Sequence, residues 1–163
     1  MGILQRFSDI MSANINSLLS GAEEKNAGKL LEKYLADARA NLEELKSETS
    51  AIIADEMAAA RRVNANNEEI AKYDRYAEQA VLAGNDEDAR KFLDAKSQLV
   101  SKKAELESAY ELAKSNSDKM RQMTRKLMED IASAEGKMVE LRAKLTVAEH
   151  KEKMDDLMHK VAG

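Results

Sequence analysis

Over residues 31–80 one position recurs at alternating steps of four and three without a slip. It is occupied by Leu31, Leu35, Ala38, Leu42, Leu45, Thr49, Ile52, Glu56, Ala59, Val63, Asn66, Ile70, Tyr73, Ala77 and Ala80. A mostly apolar seam held that long is the pattern of a coiled-coil helix. After Gly84 the same spacing resumes at Phe92, Lys96, Leu99, Lys103, Leu106, Tyr110, Ala113, Ser117, Met120, Thr124, Leu127, Ile131, Ala134, Met138, Leu141, Leu145 and Ala148. Two such helices joined by one short break are expected to fold back as an antiparallel hairpin, an all-α fold.

Composition limits what the hairpin can enclose. The 163 residues include no proline, cysteine or tryptophan and only two phenylalanines, while 34% are charged. With so few large apolar side chains the core must be a narrow seam, which leaves most of the surface free for other chains. The lack of cysteine excludes disulfide and thiol chemistry and suits a reducing compartment. No apolar run approaches the roughly 20 residues that span a bilayer, and the N-terminus lacks the charge and apolar length of a secretory signal. These features point to a cytoplasmic protein, soluble or peripheral. A net charge of −4 argues against bulk nucleic-acid binding.

Residues 2–20 differ from the rest. Ile3, Leu4, Phe7, Ile10, Met11, Ile15, Leu18 and Leu19 share one side of a helical wheel, opposite Gln5, Asp9, Ser12, Asn16 and Ser17. Arg6 and Asp9 cancel, so the polar face is nearly uncharged. Such a helix has little attraction for anionic lipid and would bind a bilayer by inserting apolar side chains where lipid packing is loose. The same face could instead pack on the hairpin or on a neighbouring subunit. The stretch SGAEEKNAG, residues 20–28, has two glycines and reads as a hinge before the first heptad helix.

Gly84 suits the position that ends the first helix, and Asn85 or Asp86 can cap the second, whose opening acids Asp86, Glu87 and Asp88 favour its N-terminal dipole. Folding at this turn pairs positions whose numbers add to about 169. Ala59 then faces Tyr110, Ile70 faces Leu99, Leu42 faces Leu127, Ala38 faces Ile131, and the polar Asn66 meets Lys103. An acidic block (Glu43, Glu44, Glu48, Asp55, Glu56) falls opposite a basic one (Lys114, Lys119, Arg121, Arg125, Lys126), which favours charge pairing across the hairpin over a phosphate or headgroup site.

Beyond the match of Leu31 with Met138 the second helix continues alone as an extended arm. Leu141, Leu145 and Ala148 prolong the stripe, and Val147, Met154, Leu157, Met158 and Val161 shift it by about one position, so a change of winding or a bend is expected near His150. An uncovered face of this kind predicts self-association, through Leu141, Leu145, Met154, Leu157 and Met158.

No set of residues is arranged to carry a reaction. Gly28 and Lys29 are followed by Leu30, with Glu23 where a phosphate loop would begin with glycine. His150 and His159 lie on opposite helix faces, and Asp155 with His159 reads as solvated charge rather than a metal site. The methionines sit mostly on the seams as packing residues, so no cofactor or metal is expected and the chain is not expected to be an enzyme.

The opening MGILQRFSDIMSANINSLL, the segment NEEIAKYDRYAEQAVLAGNDEDARKFLDAKSQL around the turn, and SNSDKMRQM resemble the phage shock protein A family, which includes the vesicle-inducing protein of plastids. The resemblance covers nearly the whole chain. It implies an ESCRT-III-like hairpin that assembles into rings or rods and remodels the cytoplasmic face of the cell membrane under envelope stress. It makes residues 1–22 the membrane-binding helix, with Ile3, Leu4, Phe7, Ile10 and Met11 foremost in lipid, and residues 23–163 the hairpin, turning near 83–87. Some bacterial members also hold an AAA+ transcription activator inactive through the hairpin.

This sequence departs from the family in having no proline in the hinge. It also ends at Gly163, where family chains run on into further C-terminal helices, as a truncated or short form would. Two functions of different class are therefore expected to compete: a membrane-remodelling homo-oligomer without enzymatic activity, and a soluble coiled-coil regulator that docks a protein partner such as the AAA+ activator. A nucleotide hydrolase would have to work without a phosphate loop.

Overall fold

The computed structural model describes Leu19 and residues 24–163. Two long helices, α1 (Glu24–Leu82) and α2 (Asp86–Ala162), form a hairpin in which they pack against each other, and no strand occurs among the described residues. The amphipathic helix expected over residues 2–20 lies outside the described residues apart from Leu19, which is helical and half-buried.

The described chain divides into two compact units. One is Glu48–Arg121, which contains the turn; the other joins residues 24–47 to Gln122–Gly163. In the first, α1 contributes Thr49, Ala59, Asn66, Ala77 and Ala80 to the buried seam, and α2 contributes Ala89, Ser117 and Met120. The small residues let the two backbones approach closely. Lys96 lies in the α2 seam with its stem half-buried, and its ammonium reaches the Asp74 carboxylate at 2.8 Å, so a charged seam residue keeps its head in solvent.

The second unit carries the larger apolar side chains. Leu31, Leu35, Ala38 and Leu45 of α1 are buried, as are Leu127, Ile131, Ala134 and Met138 of α2. Each fully buried Leu or Met of this kind contributes about 2 kcal/mol from its removal from water. Arg39 Nη2 donates to Glu135 Oε1 across this unit at 2.9 Å, on an exposed flank where it contributes little to stability.

Two local expectations fail. The first is the hinge: α1 begins at Glu24, so the KNAG part of the presumed break is helical. Gly28 costs about 1 kcal/mol of helix propensity there, and a Cβ at this position would make an ordinary contact with Leu141 Cδ2 at 3.6 Å, so the packing does not require glycine.

The second is the pairing of Asn66 with Lys103. Lys103 is exposed, and Asn66 Nδ2 donates instead to the Leu99 carbonyl at 3.0 Å. A backbone oxygen satisfies the amide without burying an ammonium, which is the cheaper arrangement. Near His150, where a change of winding or a bend is expected, α2 runs as one helix rather than two pieces, and every residue from 146 to 163 is exposed, Ala148 included.

Candidate functional site

The turn is held by its own backbone. Gly84 adopts a left-handed conformation (φ +74°), a region that a side chain disfavours. Asn85 N–H donates to the Ala80 carbonyl at 2.8 Å and Gly84 N–H to Val81 at 3.1 Å, the paired bonds that close a helix C-terminus. Asn85 then serves the next helix: its Oδ1 accepts from the Asp88 N–H at 3.2 Å, and its Nδ2 donates to Asp88 Oδ2 at 2.7 Å. Asn85, rather than Asp86, is the cap. Asp86 stands in the first turn of α2 with Glu87 and Asp88, where negative charge faces the positive end of the helix dipole.

Beside the turn three rings meet. Tyr76 and Phe92 lie 5.4 Å apart between centroids in an edge-on contact, and Tyr73 stands 6.2 Å from each of them. Lys72 Nζ lies 5.6 Å from the Tyr73 ring and 5.7 Å from that of Tyr76. Only Tyr73 and Phe92 were legible as seam residues; Tyr76 joins them because it is three residues on along the same helix face. Leu82 next to the turn is 84% exposed.

The charge blocks meet at Glu56. Its carboxylate, largely covered in the seam, lies 3.9 Å from Arg121 Nη2, which explains how a glutamate can occupy a heptad position. Lys126, by contrast, bonds Asp130 one turn along its own helix at 3.1 Å. Burial of the Tyr34 phenol, with the Asp130 carboxylate adding to it, holds that hydroxyl above its ordinary value of 10.0.

The distal part of α2 is the exposed apolar surface expected of an interaction site. Met154, Leu157 and Met158 are 60%, 59% and 68% exposed, and Val147 and Val161 more or equally so. Leu141 and Leu145 differ from them in being half-buried. Ile3, Leu4, Phe7, Ile10, Met11, Ile15 and Leu18 all lie outside the described residues. No described helix is long and apolar enough to cross a membrane.

Residues 2–162 match the PspA/IM30 family. The phage shock protein A homolog of Bacillus subtilis (strain 168) is 42% identical over 157 residues, 96% of this chain and 68% of that protein. Two proteins called membrane-associated protein Vipp1 are also similar. That of Nostoc punctiforme is 25% identical over 97% of this chain and 60% of its own length; that of Synechocystis sp. is 29% identical over 91% and 55%. The chain thus spans between about half and two thirds of these relatives. With two seamed helices, a glycine-closed turn and a family match along nearly its whole length, the chain belongs to the PspA/IM30 family.

Proposed function

We propose that the chain is a non-enzymatic, peripheral membrane protein that assembles with copies of itself and remodels or stabilises the inner face of the cell membrane. Residues 2–20 are its bilayer contact, led by Ile3, Leu4, Phe7, Ile10 and Met11. The observation that carries the reading is the one-sided apolar pattern of that stretch, in a chain whose Vipp1 relatives are called membrane-associated. One such helix with an uncharged polar face binds weakly and reversibly. Many held on one assembly bind durably, because each further insertion is intramolecular.

The apolar period alone offers Leu141, Leu145, Met154, Leu157 and Met158 as contacts between copies. Leu141 and Leu145 are half-buried, with Leu141 beside Gly28 of α1, so they prolong the hairpin's own seam and leave copies little apolar surface, and the charges around the other three favour a different partner.

Electron microscopy of the chain with vesicles of bacterial lipid, beside a form lacking residues 2–20, tests the proposal. Coated or tubulated vesicles with the whole chain and bare vesicles with the shortened one support it. Untouched vesicles in both samples overturn it in favour of a regulator that docks a protein partner such as an AAA+ activator. Phe7→Glu should abolish vesicle binding while leaving helicity intact, and retained binding would count against insertion.

A further inference from the structure

The exposed stripe on distal α2 carries a charge layout that the apolar period does not reveal. At about 100° per residue, Val147, Met154, Leu157, Met158 and Val161 lie within about 60° of the stripe's centre at Met154. Lysines border them on both sides. Lys144 and Lys151 stand about 60–80° from that centre on one flank, and Lys153 and Lys160 about 100–120° on the other. Glu149, Glu152 and Asp156 occupy the opposite face, about 140–160° away, with Asp155 just outside Lys151. All of these residues are exposed on a helix that is already formed, so no folding cost attends a partner's arrival.

This layout discriminates among partners. In heptad terms the stripe is Val147, His150, Met154, Leu157 and Val161, and the positions beside it are Thr146, Lys151, Lys153, Met158 and Lys160. None of the flanking positions is acidic. Two copies of the segment laid antiparallel would bring lysine towards lysine with no carboxylate between them, and laid parallel they would set Lys151 beside Thr146 and Lys153 beside Met158, so neither arrangement gains an ion pair. A flat surface that is apolar below and anionic above fits this layout. The apolar side chains enter it, the lysine stems lie along the boundary with their ammonium groups on phosphates, and Glu149, Glu152 and Asp156 face water, with Asp155 the one acid near the boundary.

We propose that residues 144–161 of α2 form a second lipid-binding face, specific for the surface of an anionic bilayer, with Val147, Met154, Leu157, Met158 and Val161 between the headgroups and Lys144, Lys151, Lys153 and Lys160 on the phosphates. It differs in kind from residues 2–20, whose polar face is nearly uncharged. The distal face is held by charge and released by salt; the N-terminal one depends on apolar insertion and is not.

The chain contains no tryptophan, so one placed at a chosen position reports on that position alone. Leu157→Trp and, separately, Phe7→Trp are made in the full chain and mixed with phosphatidylglycerol vesicles carrying brominated acyl chains. The Leu157→Trp emission should shift to the blue and be quenched by the bromolipid. Quenching should fall several-fold when salt is raised from about 0.1 M to about 0.5 M, when phosphatidylcholine replaces phosphatidylglycerol, or when Lys151, Lys153 and Lys160 are changed to Glu with helicity retained.

A blue shift without quenching would mean that another protein copy covers the stripe, and it overturns the proposal, as does no shift at all. Quenching of Phe7→Trp with an unresponsive Leu157→Trp sinks the distal face and leaves the N-terminal contact standing. The reverse result sinks the N-terminal contact alone.

Discussion

Asn66 Nδ2 donates to the backbone carbonyl of Leu99 at 3.0 Å, so the one amide in the α1 seam is anchored to the neighbouring helix by an atom that no side-chain substitution in α2 removes. Asn66 is 8% exposed. Changing Asn66→Asp places a carboxylate against a carbonyl acceptor and should cost about 1–3 kcal/mol. Asn66→Leu replaces the amide with an apolar group of similar size and should be near neutral or stabilising by about 1 kcal/mol. Urea unfolding followed by far-UV circular dichroism gives both values. An aspartate variant as stable as the parent would show that the amide is not held in the seam.

The turn yields a prediction of opposite cause. Gly84 is required for its backbone angle, since a Cβ there would meet nothing within 4 Å but would have to accept φ +74°. Gly84→Ala should therefore cost about 1–2 kcal/mol through strain alone. Asn85→Ala removes the cap to the Asp88 N–H and should cost about 1 kcal/mol. Thermal unfolding of both variants checks the pair; an unchanged midpoint for Gly84→Ala would mean that the helices can be joined without the left-handed residue.

Most of the fold was legible because a heptad is a long-range regularity: Leu31, Leu35, Leu45, Leu127, Ile131 and Met138 are buried where the period puts them. The period says nothing about atoms at the end of a long stem. Lys103 falls on the α2 seam by spacing yet leaves it for solvent, while Lys96, equally charged, stays because Asp74 is within reach. The glycines of residues 20–28 suggested a break, but α1 runs through Gly28, because a helix of 59 residues absorbs the roughly 1 kcal/mol that one glycine costs.

The candidate surface was legible only as an apolar stripe. The lysines that border it stand at the same helical spacings, but an apolar period does not register charged positions, just as a strict seam does not register Tyr76 beside the turn.

Tyr34 gives the chain a distinct alkaline response. Its hydroxyl is held above 10.0, first by burial and then by the Asp130 carboxylate. Between the ordinary and the raised value the folded chain keeps a proton that the unfolded chain has lost. The stabilisation is complete below about pH 10 and declines as pH rises through the folded-state value. Asp130→Asn should move the titration of Tyr34 downward without restoring the ordinary value, because burial is the larger cause. Tyrosinate absorbance of the parent minus that of Tyr34→Phe isolates the group, and a titration unaffected by Asp130→Asn would remove the carboxylate from the account.

Ser117 is a polar residue in the α2 seam. It is fully buried on α2, and its Oγ has no hydrogen-bond partner among the described residues. A hydroxyl taken out of water without compensation costs about 1–3 kcal/mol, and serine is also a poorer helix former than alanine. Ser117→Ala removes both penalties and leaves a small side chain where the helices approach closely, so stability should rise by about 1 kcal/mol or more. Ser117→Val also removes the hydroxyl but adds volume to a tight seam, and should gain less or lose. Urea midpoints of the two variants separate polarity from packing. If Ser117→Ala lowers the midpoint, the hydroxyl must find a partner in solution, and the seam at this point is held by a polar contact rather than by apolar closeness.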